Sequence, residues 1–196
     1  MMKRFLIVVC LFGLLVSLPA GATSVRPLYL DEIVADAAIV FQGKCIDNRT
    51  EREPNTNFVV TYTTFEVQDV LKGQVGATHV IKQIGGHLSG ETMSFHVEGV
   101  PSFTIGENYV VFLAGVSSAG FSSPIGLNQG RFNVISRPAG LQVTNGRDFK
   151  EMTAGIPAQQ VPQAAMMMLQ QAPGSVRHLG LDDFKQLVRR RAEIAK

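Results

Sequence analysis

The chain predicts a mainly β protein: a small closed antiparallel barrel with a short N-terminal helix and a C-terminal helical tail. Three observations carry that prediction. Between Ile39 and Thr144, β-branched and aromatic residues recur in short runs of two-residue rhythm. Glycines at 85–86, 99, 106, 115, 130 and 140 interrupt the runs at nearly every junction. Helical spacing is confined to a segment before the first run and to segments after the last one. The composition agrees, since 196 residues with 45% hydrophobic and 17% charged side chains describe one globular domain with a core, not a disordered or fibrous chain.

Residues 1–22 read as an export signal. Lys3 and Arg4 precede an apolar run from Phe5 to Leu18, and Ala20 and Ala22 supply the small-residue pattern of a cleavage site. The run is shorter than the about 20 residues that cross a bilayer as a helix, so no stable membrane span is expected after cleavage. Cys10 has apolar residues continuing beyond it and does not mark a lipoprotein. The protein is therefore expected to be exported, to a periplasmic or extracellular location.

Pro27 to Ala38 then places Leu30, Ile33, Val34 and Ala37 on one helical stripe, with Asp31 and Glu32 early, where the helix dipole favours acids. At Ile39 the period changes to two, and Ile39 to Ile46 reads as a strand. Polar residues from Asp47 to Asn57, with Pro54 among them, read as a loop. Phe58 to Leu71 follows as a long strand, with Thr61, Thr63, Phe65 and Val67 on one face. Further strands are expected at Thr78–Ile84, Thr92–Val97, Asn108–Leu113, Gly130–Ile135 and Leu141–Thr144. A strand as long as the second can bend to serve both halves of a barrel, which would remove exposed edges. The barrel domain thus spans residues 23–149.

Residues 150–178 form a Pro/Gln/Met-rich linker in which Pro162 can open a short helix through Ala172. Residues 179–196 close the chain as an amphipathic helix, with Leu181, Phe184, Leu187, Val188 and Ile194 largely on one side. A helix of this length is marginal alone in water, so it must dock or fray.

Charge and cysteine content narrow the partners. Loss of Lys3 and Arg4 with the signal brings the 18 basic residues level with the 16 acidic ones, which leaves no excess for phosphate neutralisation and argues against nucleic acid as a partner. Of the two cysteines only Cys45 lies beyond the signal, so no internal disulfide is available. Its place on an apolar strand face predicts a buried, inert thiol.

Chemistry-bearing residues are few. His96 and Glu98 share a strand face, and His87 lies in the preceding glycine loop; these three are the candidate metal ligands. The competing reading buries Met93, Phe95 and Val97 and leaves Ser94, His96 and Glu98 solvated. Ser89 lacks a nucleophile-elbow context, and Gly85-Gly86 lacks the Lys-Ser/Thr and helix of a phosphate loop. Met166 to Met168 diverge around a helix and read as packing rather than a thioether site. Arg189 to Arg191 read as a solvated helix end, and Asn48-Arg49-Thr50 is a glycosylation sequon that has meaning only in a eukaryote. No catalytic residue, cofactor or resident metal is expected.

The ordered string of signals resembles a known family. Its landmarks are Leu30 to Lys44, Thr61 to Phe65 running into Val70-Leu71-Lys72-Gly73, then Gly99-Val100-Pro101-Ser102-Phe103, Gly106 to Leu113 and Ile125 to Phe132. They resemble a family of uncharacterised exported bacterial proteins, some associated with matrixin-type metalloproteases. The segments Val70 to Gly73 and Gly106 to Leu113 are also similar to the netrin-like OB-fold domain of tissue metalloprotease inhibitors. That likeness implies an OB-like barrel. Those inhibitors chelate zinc through an N-terminal cysteine, whereas the expected mature N-terminus here is Thr23-Ser24-Val25, so that mode does not carry over.

The expectation is a non-catalytic binding module that contacts an extracytoplasmic protease or envelope protein through loops Asp47–Asn57 and Gly85–Gly90. The alternative is a small secreted hydrolase or metal-binding protein using His87, His96 and Glu98, with Ser89 as a further hydrolase candidate.

Overall fold

The two-residue rhythm starting at Ile39 produces a strand that anchors the whole molecule. In the computed structural model, which describes residues 25–90 and 94–195, β1 (Ile39–Arg52) pairs with β2 (Val59–Lys72) along one edge and with β6 (Asn108–Leu113) along the other. The expected signal segment lies outside the described residues. β3 (Thr78–Ile84) extends the sheet beyond β2. On the far side follow β7 (Arg131–Arg137), β8 (Gly140–Thr144) and the two-residue β9 (Leu179–Gly180). The result is a seven-stranded antiparallel sheet in the order β3-β2-β1-β6-β7-β8-β9. Among the described residues no pairing joins β3 to β9, so closure into a barrel is not part of the ladder. The loop after β6 covers part of the β3 edge instead: the Ser122 N–H donates to the Lys82 carbonyl, and the Lys82 ammonium lies 4.4 Å from the Phe121 ring centre.

β1 runs six residues past its expected end. The register shifts between Cys45 and Asp47, which leaves Ile46 out of the pairing, and the ladder then resumes from Asp47↔Thr64 to Arg52↔Val59. The polar stretch beginning at Asp47 was expected as a loop because it lacks apolar alternation. It pairs nonetheless, because its polar side chains meet hydroxyls across the sheet. Two further shifts bend β1 near Gly43, where a Cβ would sit 2.9 Å from the Glu66 carbonyl oxygen and 3.0 Å from the Phe41 ring.

A strand bent in this way contributes to two apolar layers. On one face, Val40, Val110, Phe112, Phe132 and Val143 pack against α1 (Leu30–Asp36) and α4 (Leu181–Ile194). Phe184 from α4 reaches Phe132 at 4.7 Å and Phe149 at 5.8 Å between ring centres. Phe149 and Met152 come from α2 (Phe149–Met152), which Asp148 caps by accepting from the Lys150 N–H. Val161, Ala165 and Leu169 also enter this core, the last two from α3 (Gln163–Gln171), which follows Pro162 directly. On the opposite face Phe41, Cys45, Phe65, Ile81 and Tyr109 form a second core closed by Phe103. Its rings meet edge to face, at 5.4 Å for Phe41–Phe65, 4.9 Å for Phe65–Phe103 and 5.0 Å for Phe103–Tyr109.

The arginines expected to form a solvated helix end instead fasten α4. Arg191 makes a two-pronged bond to Asp31 at 2.6 and 2.9 Å, and Arg189 bonds Asp69 at 2.5 Å. Burial works against the charge on Asp69, but Lys185 and Arg189 outweigh it and hold the carboxyl below its ordinary range.

His79, on β3, gives the second core a pH dependence. Its ring lies edge-on to Phe41 at 5.5 Å, and its Nε2 is buried with no partner among the described residues. Burial pushes its pKa down. The unfolded chain takes a proton near pH 6.5 while the folded chain resists it, so the unfolded state binds more protons in the window just below that value. Stability is therefore expected to fall as the pH drops through this window. Urea midpoints compared at about pH 7.5 and about pH 5.5 should show the loss, and His79→Leu should flatten it.

Candidate functional site

Beyond the second core, the same sheet face turns from apolar to polar without a break. The side chains that continue the Cys45/Phe65/Ile81 face are Asn48 and Thr50 from β1, Thr61 and Thr63 from β2, and Gln83 from β3. They are brought into line by the pairs Asn48↔Thr63, Thr50↔Thr61 and Thr61↔Gln83. The bulge at Ile46 places Asn48 and Thr50 on this side; without it the alternation would send them to the other. Five hydroxyl or amide side chains thus form a floor.

A hairpin of β4 (Gly86–His87) and β5 (Ser94–Phe95), together with the segment from Val97 to Phe103, stands over that floor and encloses a groove of about 280 Å³. The hairpin root rests directly on the threonines. A Cβ at Gly86 would lie 2.2 Å from Thr61 Oγ1 and 2.7 Å from Thr50 Cγ2, at a φ of +137°. Glycine is what lets the chain pass there. The Val97–Phe103 segment is held from below: Arg131 donates to the Ser102 carbonyl, its guanidinium lies 5.6 Å from the Tyr109 ring centre, and the Thr104 N–H donates to the Tyr109 hydroxyl at 2.9 Å.

Most of the floor is internally satisfied. Thr63 donates to Asn48 Oδ1 at 2.6 Å, and Asn48 Nδ2 donates to the Phe103 carbonyl at 2.6 Å. Thr61 donates to the Gly85 carbonyl at 2.7 Å, so in the 2.9 Å Thr50–Thr61 contact Thr50 is the donor. Gln83 is the exception. It is 3% exposed, it lines the groove, and its Nε2 has no hydrogen-bond partner among the described residues. Among the described residues no Asp, Glu, Lys or Arg lines the groove, and His96 is the one imidazole that does.

The residues singled out from the sequence are distributed unevenly around this site. His87 Nδ1 lies 3.1 Å from Ser94 Oγ on the exposed hairpin. His96 lines the groove, whereas Glu98 is exposed and outside it. No group of three His, Cys, Asp or Glu side chains among the described residues is arranged to hold a metal. Ser89 is exposed at the hairpin turn. Phe95 and Val97, expected on a buried face, are 38% and 39% exposed. Phe95 pairs only within a hairpin of two-residue strands that stands off the main sheet, and Val97 lies beyond it, so strand alternation there does not lead into a core; Met93 lies outside the described residues.

Asn48 of the sequon donates its amide nitrogen to the Phe103 carbonyl. Met166 packs against the first core while Met167 and Met168 are exposed, so the three do not converge. Cys45 is buried, and burial raises its thiol pKa.

Reasoning from sequence missed Gln83 and the threonine floor, because a strand of Thr, Asn and Gln carries no motif. One signal was present: Thr61, Thr63 and Phe65 were placed on a common face, which already set hydroxyls beside an aromatic core. Loops Asp47–Asn57 and Gly85–Gly90 do converge, with Thr50 beneath Gly86 and the Arg52 guanidinium 5.4 Å from the Phe95 ring centre. No protein-family model matches the chain, and no curated protein matches it. No described helix is long and apolar enough to cross a membrane.

Proposed function

We propose that the protein is an exported, non-catalytic binding module that engages an extracytoplasmic polypeptide, such as a protease or an envelope protein, at the hairpin end of its sheet. The observation that carries this reading is the uncharged groove itself: a floor of hydroxyls and amides, one buried donor left open, and an exposed rim of Phe95 and Val97. A concave surface with apolar walls and a few placed polar groups is a recognition surface. The bent β1 and β2, each contributing to both cores, support an OB-like architecture as part of the proposal.

The hydrolase alternative would have to use His87 and Ser94. His87 Nε2 has no hydrogen-bonded carboxylate to orient it among the described residues, and although Ser94 lines the groove, His87 is exposed and outside it. This favours binding over catalysis.

The test is to express the full precursor with a C-terminal tag and recover it from the exported fraction. N-terminal sequencing is expected to begin at Thr23, and the tagged chain should retain an extracytoplasmic protein that Phe95→Asp releases. Recovery from the cytoplasm only, or retention of nothing, would sink the proposal.

A further inference from the structure

We infer that the groove beneath the β4–β5 hairpin receives an uncharged stretch of extended peptide, one amide carbonyl of which accepts the hydrogen bond left open by Gln83 Nε2. This rests on the reading of the chain as a polypeptide-binding module and specifies what it recognises.

The argument begins with donors. Thr50, Thr61 and Thr63 each donate their hydroxyl proton within the fold, and Asn48 Nδ2 donates to the Phe103 carbonyl, at 2.6 to 2.9 Å. Among the floor side chains Gln83 holds the buried amide nitrogen that has no partner among the described residues, and it is 97% buried. Buried polar groups are nearly always paired, because leaving one unmade forfeits its hydration without return. An amide nitrogen held dry in a floor whose other side chains are paired therefore has its partner in the ligand.

Charge and size then define that partner. With no Asp, Glu, Lys or Arg among the described lining residues, a carboxylate or ammonium seated on the floor would lose water without a counter-charge beside it. A saccharide presents hydroxyls around its whole rim and needs several donors and acceptors, whereas the single dry donor of the floor matches one carbonyl. A volume of about 280 Å³ holds a peptide unit and its flanking side chain, which Ile84, Val97, Val100 and Pro101 would contact through apolar surface.

The carbonyl can come from the main chain or from a carboxamide side chain, and the experiment separates the two. The full exported chain, labelled with ¹⁵N, is titrated with the blocked tripeptides acetyl-Gly-Ala-Gly-N-methylamide and acetyl-Gly-Gln-Gly-N-methylamide while the Gln83 side-chain amide resonances are followed. The Glu counterpart and glucose are titrated in parallel. Saturable movement of the Gln83 pair with both neutral peptides assigns the main-chain carbonyl; movement with the Gln peptide alone assigns the carboxamide. Gln83→Leu is expected to weaken binding about five- to tenfold, the worth of one neutral hydrogen bond.

Equal binding of the Glu peptide, saturation by glucose in place of the peptides, or no movement with any probe would overturn the inference. The key resonance is read in the unsubstituted chain, so the result does not depend on the variant folding. Capture of a partner by a protein whose Gln83 ignores every peptide would defeat this assignment and leave the binding-module reading standing. Peptide binding without any captured partner would uphold the assignment and overturn only the capture of an extracytoplasmic protein.

Discussion

Phe184→Ala is expected to destabilise the protein by about 3–5 kcal/mol, the range for removing a buried phenylalanine from a closed core. Phe184 is fully buried, and its ring lies within 6.1 Å, centre to centre, of Phe112, Phe132 and Phe149. These come from three separate elements of the sheet and helical layer, so collapse around the cavity would require all of them to move together. The melting temperature should drop by roughly 6–20 °C. Leu141→Ala serves as the control: Leu141 is 53% exposed on β8, and its truncation should change stability by less than about 0.5 kcal/mol. A Phe184→Ala protein that melts with the control would show that α4 is not held in the core.

Gly86→Val should have the largest effect at the groove. The substitution places a branched Cβ where Thr61 Oγ1 is 2.2 Å away, at a positive φ that L side chains rarely adopt. Strain of this type costs about 1–3 kcal/mol, and the hairpin, held by only two residue pairs, is the part free to yield. The Thr61–Gly85 hydrogen bond should break as the root lifts, exposing the floor. Hydrogen exchange at β4 and β5 is expected to accelerate while exchange at β1 and β6 stays slow. Uniform acceleration across the sheet would mean that the hairpin and sheet unfold as one unit, contrary to this account.

The elements that could be read from the sequence are those whose period matches a buried face. β3 and β6 emerge at their expected residues, Thr78–Ile84 and Asn108–Leu113, and the α4 stripe of Leu181, Phe184, Leu187 and Val188 is buried as its spacing implies. The outer half of β1 was not legible. A bulge changes which face each residue takes, and Asn48 and Thr50 are polar because they floor a groove and not because they leave the sheet. For the same reason the site was only half visible. Its two bounding loops could be named, but Gln83 belongs to a strand whose significance depends on a lost hydrogen bond, a property no residue type announces. Arg191 was misjudged because its partner, Asp31, is distant in sequence and charge spacing along one helix carries no sign of it.

The joining of Asp31 to Arg191, and of α1 to α4 through one apolar layer, bears on how the polypeptide is made. Until α4 has been synthesised, α1 lacks the helix that packs against it and Asp31 lacks its arginine. Loops this long are also slow to close. Closure of that layer therefore waits on a contact between residues 160 positions apart.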